Sequence, residues 1–176
     1  MKTTHIPALQ IAPCGMNCSL CYAYVREKKS CPGCRGSDDT KSISCLACRI
    51  NNCEKIAEGK IKYCFECADF PCARLKHLDK RYRTKYSMSV IENLNTIQSL
   101  GIRRFIENEK KRWECPECGR LLSVHKPECI HCHHAWRSKW IAQPDIVADR
   151  SRLQEDYRSI GRGKGKFQGA RKRAGS

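Results

Sequence analysis

Four cysteines in the C-terminal half have the type and spacing to hold a metal ion. In "CPECGRLLSVHKPECIHC", Cys115 and Cys118 followed by Cys129 and Cys132 read C-x2-C-x10-C-x2-C. Each C-x2-C turns tightly enough to place both sulfurs on one ion, and four thiolates in tetrahedral array close such a site to substrate. Pro116 restricts the first turn. Gly119 follows the second sulfur, where the backbone often needs positive φ. The stretch "RLLSVHK" is long enough for a short hairpin, so the arrangement is that of a zinc ribbon. A rubredoxin-like iron site uses the same four sulfurs, but the short connector and the lack of any sign of an electron partner favour zinc. In the second knuckle His133 stands where Gly119 stands in the first, and histidine enters the left-handed region less easily than glycine. With four cysteines present, His125, His131, His133 and His134 are expected to be exposed or to sit behind the ligands.

Eleven further cysteines lie between Cys14 and Cys72. Eight fall in C-x2-C pairs: Cys18/Cys21, Cys31/Cys34, Cys45/Cys48 and Cys64/Cys67. Cys14, Cys53 and Cys72 are single. "CLACRINNC" and "CFECADFPC" repeat the pattern C-x2-C-x4-C. Two four-cysteine sites would leave three thiols over, and three sites would need one more ligand, such as His5 or His77, or an open iron–sulfur cluster. The spacing alone does not say which pairs share a metal. All eleven are candidate ligands, and with the ribbon they predict three to four ions, zinc by preference, with an iron–sulfur cluster as the alternative in this module.

The C-x3-C-x2-C run of Cys14, Cys18 and Cys21 matches three corners of an iron–sulfur cube, as in radical enzymes that cleave S-adenosylmethionine. Those enzymes need repeated βα units, and none follows Cys21. "CPGC" at Cys31 to Cys34 resembles a dithiol redox motif, which needs a βαβ setting that is also missing. No Ser/His/Asp set, phosphate loop or open three-ligand zinc site names a reaction. An enzyme reading has only the thiols themselves to carry it.

Compartment decides how fifteen cysteines are read. The start "MKTTHIPALQIAP" lacks the apolar run of a secretory signal, and no stretch is long and apolar enough to span a bilayer. The expectation is a cytoplasmic protein with reduced thiols. An odd count cannot pair fully within one chain, which also favours metal over disulfides. Between Cys14 and Cys72 there are only thirteen large apolar side chains. Folding there is expected to need metal, which contributes about 10–16 kcal/mol in small zinc peptides.

The charge is +16, and three four-thiolate sites would leave about +10, still basic and compatible with a polyanionic partner. "KHLDKRYRTKY" interleaves Lys80, Arg81, Arg83 and Lys85 with Tyr82 and Tyr86, a pattern suited to phosphate contacts and base stacking. Arg171, Lys172 and Arg173 in the basic tail would add non-specific attraction. The plainer reading is a solvated helix face and a solubilising tail. Nucleic acid or another protein is the expected partner class, and the sequence sets no oligomeric state.

Helical spacing places Leu75, Leu78 and Tyr82 on one face, then Val90, Ile91, Leu94, Ile97 and Leu100 on another. Ser87 or Ser89 suits the second helix's start and Gly101 its stop. Ile102, Phe105, Ile106 and Trp113 form a third stripe. The chain is predicted to comprise a cysteine-rich metal module (1–74), a helical connector (75–112), a zinc ribbon (113–136) and a basic tail (137–176). That tail carries an amphipathic pattern through Ile146, Leu153, Tyr157 and Ile160, and its Gly-rich end is expected to be disordered. The fold class is a small metal-stabilised α+β protein. The module 1–74 is expected to be irregular, with short helices.

The segments "APCGMNCSLCYAY", "CPGCRG", "CFECADFPCARLKHLDKRYRTKYSMSVIENL" and "RRFIENEKKRWECPECGRLLSVHKPECIHC" together resemble a prokaryotic cysteine-rich family, the domain of unknown function 3795 family. The resemblance runs from about Ala12 to His134 and is carried by the Phe70-Pro71-Cys72 corner, the Arg81 to Tyr86 segment and the Trp113 lead into the ribbon. It implies metal-ligating cysteines and supplies no reaction. It also implies glycine after the last ribbon cysteine, so His133 is a departure.

Overall fold

The computed structural model describes residues 5–136. The chain divides into two units, 1–137 and 138–176. The expected helix through Ile146 and Ile160 and the cations Arg171, Lys172 and Arg173 lie outside the described residues.

The cysteine-rich half is built from turns. Single-turn helices α1 (Tyr22–Val25), α2 (Ile43–Leu46) and α3 (Glu54–Ala57) alternate with 3-10 turns at Ala8–Gln10, Cys18–Leu20 and Cys64–Glu66. Cysteine caps two of these short helices, at Cys21 before α1 and Cys53 before α3. Two longer helices follow, α4 (Ala73–Tyr86) and α5 (Val90–Trp113). Ser89 caps α5 by accepting a hydrogen bond from the Glu92 amide at 3.0 Å. Gly101 adopts φ 78° and ψ 162°, so α5 stops and restarts there. The β component of the expected α+β class reduces, among the described residues, to three isolated antiparallel bridges, Ile11–Asn17, Glu114–Leu121 and Glu128–Ala135.

The core gathers one side of both helices with the first cysteine loop. Leu75 and Tyr82 of α4, and Val90, Leu94, Ile97, Phe105 and Trp113 of α5, are buried together with Ile6, Ile11 and Leu20. Leu100 departs from its expected stripe and is 48% exposed, because the helix breaks at the next residue. Asp79 and Glu109 are buried within the apolar faces.

Asp79 links the two helices. Its carboxylate accepts from Ser89 Oγ at 2.7 Å, the Ile91 amide at 3.1 Å and Arg83 Nε at 2.6 Å. Burial pushes its pKa up, but these donors outweigh burial and hold it below the usual carboxylate value. An acid with a lowered folded pKa adds stability above its unfolded value of about 4, and that stability disappears as pH falls through the folded value. Asp79→Asn is expected to cost about 1.5–3 kcal/mol at neutral pH. The variant should also lose less stability than the parent below about pH 4. Urea midpoints measured across pH read both effects.

Candidate metal centre

The ribbon cysteines come together through two copies of one local structure. The Gly119 amide donates to the Cys115 carbonyl at 2.9 Å, and the His133 amide donates to the Cys129 carbonyl at 2.9 Å. The Cys115 amide donates to the Arg120 carbonyl and the Cys129 amide to the His134 carbonyl, both at 2.8 Å. Gly119 has φ 66° and His133 φ 59°. Both knuckles therefore close through a left-handed residue after the second sulfur. The histidine takes the conformation that glycine takes for free.

That difference carries a prediction. A non-glycine residue in the left-handed region costs roughly 1–2 kcal/mol. His133→Gly should raise the thermal midpoint of the metal-loaded protein, by about 1 kcal/mol of stability, with metal content unchanged. Its side chain is exposed and comes only within 3.8 Å of Glu128. Gly119→Ala should have the opposite sign, since its added Cβ meets nothing nearer than 3.6 Å and only the dihedral is penalised.

Cys115, Cys118, Cys129 and Cys132 have sulfurs that all lie within 4.8 Å of one another. The Cys115–Cys132 and Cys118–Cys129 pairs are 3.7 and 3.6 Å apart. A tetrahedron with zinc–sulfur bonds of about 2.3 Å has edges of about 3.8 Å, so the four sulfurs fit an ion of that size. Cys115 and Cys129 are buried, whereas Cys118 and Cys132 face solvent. As free thiols they share protons. Burial and its sulfur neighbours push Cys118 up to about 12. At Cys115 burial acts in the same direction, but backbone donors from Cys118 and Glu117 outweigh it and hold the thiol low. A cluster split between held and readily lost protons can hold a metal ion.

The ribbon is anchored at its tip. The Val124 amide donates to the Leu20 carbonyl at 3.0 Å, and the Tyr22 amide donates to His125 Nδ1 at 3.2 Å. The Tyr86 ring meets the His125 ring edge-on at 4.7 Å, and Lys126 Nζ sits 4.4 Å from the Tyr22 ring centre. At the base, Trp113 and Trp136 stack edge to face at 5.5 Å. His125 therefore joins the ribbon to the Cys18–Tyr22 turn. The spacing held no sign of this role, because its partners come from α1 and α4. The remaining ribbon histidines lie at the surface, with His131 Nδ1 2.9 Å from Arg120 Nη1.

The eleven N-terminal cysteines are all free thiols, and the ribbon four are the one group of three or more side chains at ligand distance among the described residues. The eleven are nonetheless close neighbours. The Cys34 amide donates to Cys18 Sγ at 3.4 Å. The hydrogen bond with Cys18, then burial, raises the Cys34 thiol above its usual range. Burial, then Cys34, raises Cys14. Burial also raises Cys21, which feels Cys31 and Cys45. Lys41 Nζ pins the loop after Cys34 by donating to the Cys34 and Gly36 carbonyls at 3.2 and 2.8 Å.

The basic helix face is thinner than its pattern suggested. Lys80, Arg81 and Lys85 are exposed. Arg83 is committed to Asp79 and, at 3.0 Å, to Glu92. Tyr82 is buried and Tyr86 packs on His125, so neither ring offers a free stacking face. No helix of the described residues is long and apolar enough to cross a membrane.

No curated protein and no solved structure matches the chain. One family model does match, and it stops short of most of α4, all of α5 and the ribbon. Residues 10–77, which hold all eleven N-terminal cysteines, match the model of the family described as Protein of unknown function (DUF3795).

Proposed function

We propose that this chain is a zinc-binding interaction module in which the ribbon metal holds a hairpin against the cysteine-rich half. The observation that carries this reading is the tetrahedral spacing of the four ribbon sulfurs, at 3.7 and 3.6 Å across opposed pairs. Four sulfurs leave no open position on the ion, so the ribbon site is structural and the reading is of a binder, with no residue set assigned to catalysis. Elemental analysis of anaerobically prepared protein tests it, with zinc expected and three to four ions if the N-terminal cysteines also fill. Iron with a brown colour would favour an iron–sulfur or redox protein in its place. Metal-free, folded protein would overturn the reading.

A second reading is supported by one face of α4. Lys76, His77, Lys80, Arg81, Thr84 and Lys85 are exposed there and no acid is exposed among them. That face suits a polyanion held through phosphates, since the tyrosines are occupied. Binding of single-stranded nucleic acid should weaken steeply with salt, and a Lys80→Ala/Arg81→Ala/Lys85→Ala variant should bind more weakly. Absence of binding at low salt would sink this reading.

A further inference from the structure

Cys53, Cys64, Cys67 and Cys72 are brought to one place by four different local devices. Cys53 caps α3 and Cys72 caps α4, both in extended backbone. Cys64 opens the 3-10 turn Cys64–Glu66, and the Cys67 amide closes it onto the Cys64 carbonyl at 3.2 Å. The Cys64 amide is in turn tied to the Pro13 carbonyl at 2.9 Å, which fixes this corner against the first cysteine loop. Burial pushes the Cys64 thiol up to about 12, and the next contributions come from Cys72, Cys53 and Cys67, ahead of Cys48. These three are therefore the sulfurs that Cys64 feels most.

An independent observation comes from Lys55. Its ammonium donates to Cys67 Sγ at 3.3 Å and to Asp69 Oδ2 at 2.8 Å. An ammonium has only donors to offer, so it suits a sulfur that carries negative charge. Metal-bound thiolates are commonly supported by such donors behind the ligand. The Cys67 sulfur also lies 3.8 Å from Asp69 Oδ2, the carboxylate that orients the lysine.

We propose that Cys53, Cys64, Cys67 and Cys72 form a second four-thiolate site for a soft divalent ion such as zinc, with Lys55 hydrogen-bonded to its Cys67 ligand. The proposal rests on the metal-binding reading but uses none of the ribbon residues. These sulfurs are looser than the ribbon set, which alone among the described residues meets the 4.8 Å spacing. Metal binding is coupled to local folding in such sites, so the ion draws the four together.

The test uses the full chain, prepared anaerobically, with zinc and cobalt as probes. A Cys64→Ser/Cys72→Ser double variant should lose about one ion per chain and keep the ribbon ion. Cys118→Ser should lose the ribbon ion and keep this one, and Cys45→Ser should leave this site loaded. The wild-type chain gives a second measurement that needs no variant. Under native alkylation, Cys53, Cys64, Cys67 and Cys72 should be protected together and become reactive together when a chelator removes the metal. Unchanged metal content in the double variant, or four thiols that react independently of metal, would overturn the site while leaving the ribbon assignment standing. Loss of metal from neither set would mean that the metal-binding reading itself has failed.

Discussion

Replacing Cys129 with serine is expected to unfold the ribbon. Cys129 is completely buried, and its sulfur lies 3.6 Å from that of Cys118. A structural zinc contributes about 10–16 kcal/mol in small domains, as much as the whole stability of a typical protein, about 5–15 kcal/mol. The hairpin has little else. Among its residues only Leu122, Ser123, Val124, the two buried cysteines and Trp136 are buried. With three sulfurs the ion should be lost, and elemental content should fall by about one per chain. The edge-to-face pair of Trp113 and Trp136 should separate, removing its near-ultraviolet circular dichroism. The damage should spread to the cysteine-rich half, because the Val124–Leu20 and His125–Tyr22 bonds hold it to the hairpin. A variant that keeps the tryptophan signal and wild-type metal content would contradict this account.

Gly15→Ala should be the most damaging small substitution in the first cysteine loop. Gly15 has φ +84°, a conformation that penalises any side chain. An added Cβ would stand 2.6 Å from the Val90 carbonyl oxygen and 2.7 Å from Leu94 Cγ. The first of these is backbone at the start of α5 and cannot swing aside. The left-handed penalty of roughly 1–2 kcal/mol combines with an overpacking cost of about 1–3 kcal/mol, so a loss of about 2–5 kcal/mol is expected. The same movement would disturb the bond from Asn93 Nδ2 to the Gly15 carbonyl, 2.9 Å, and the bond from Asn17 Nδ2 to Glu109, 3.2 Å. Equilibrium urea unfolding of the metal-loaded protein measures the loss. A change below about 1 kcal/mol would show that the loop can lift off α5.

Glu109 shows why such contacts escape a reading of spacing. It lies on the face of Phe105 and Trp113, four residues from each, and that placement was the available signal. A charged residue in an apolar stripe is ordinarily read as a boundary. Here burial raises its pKa while Asn17 and Trp113 both donate to it. Its partner Asn17 is ninety-two residues away in the chain. The two tyrosines of the basic segment misled in the opposite direction. Their spacing suits stacking on a ligand, yet Tyr82 is buried and Tyr86 faces His125, because the ribbon tip folds back over α4.

What the amino-acid order determined by itself was local. The ribbon knuckles follow from C-x2-C turns with a left-handed residue after the second sulfur, and both Gly119 and His133 take that conformation. Ser89 caps and Gly101 interrupts because capping oxygens and the missing Cβ act within a few residues. The stretch "IAPCGMNCSLCYAY" was different. Its spacing was compatible with an open cluster or a structural cage, and nothing within it decided where the loop sits. The tertiary structure decided that, placing Gly15 under α5, Asn17 against Glu109 and Leu20 beneath the ribbon tip. The physical reason is distance along the chain. Turns and caps are settled by neighbours a few residues apart. Close packing and buried hydrogen bonds depend on side chains that meet only after the long helices have brought both cysteine-rich ends together.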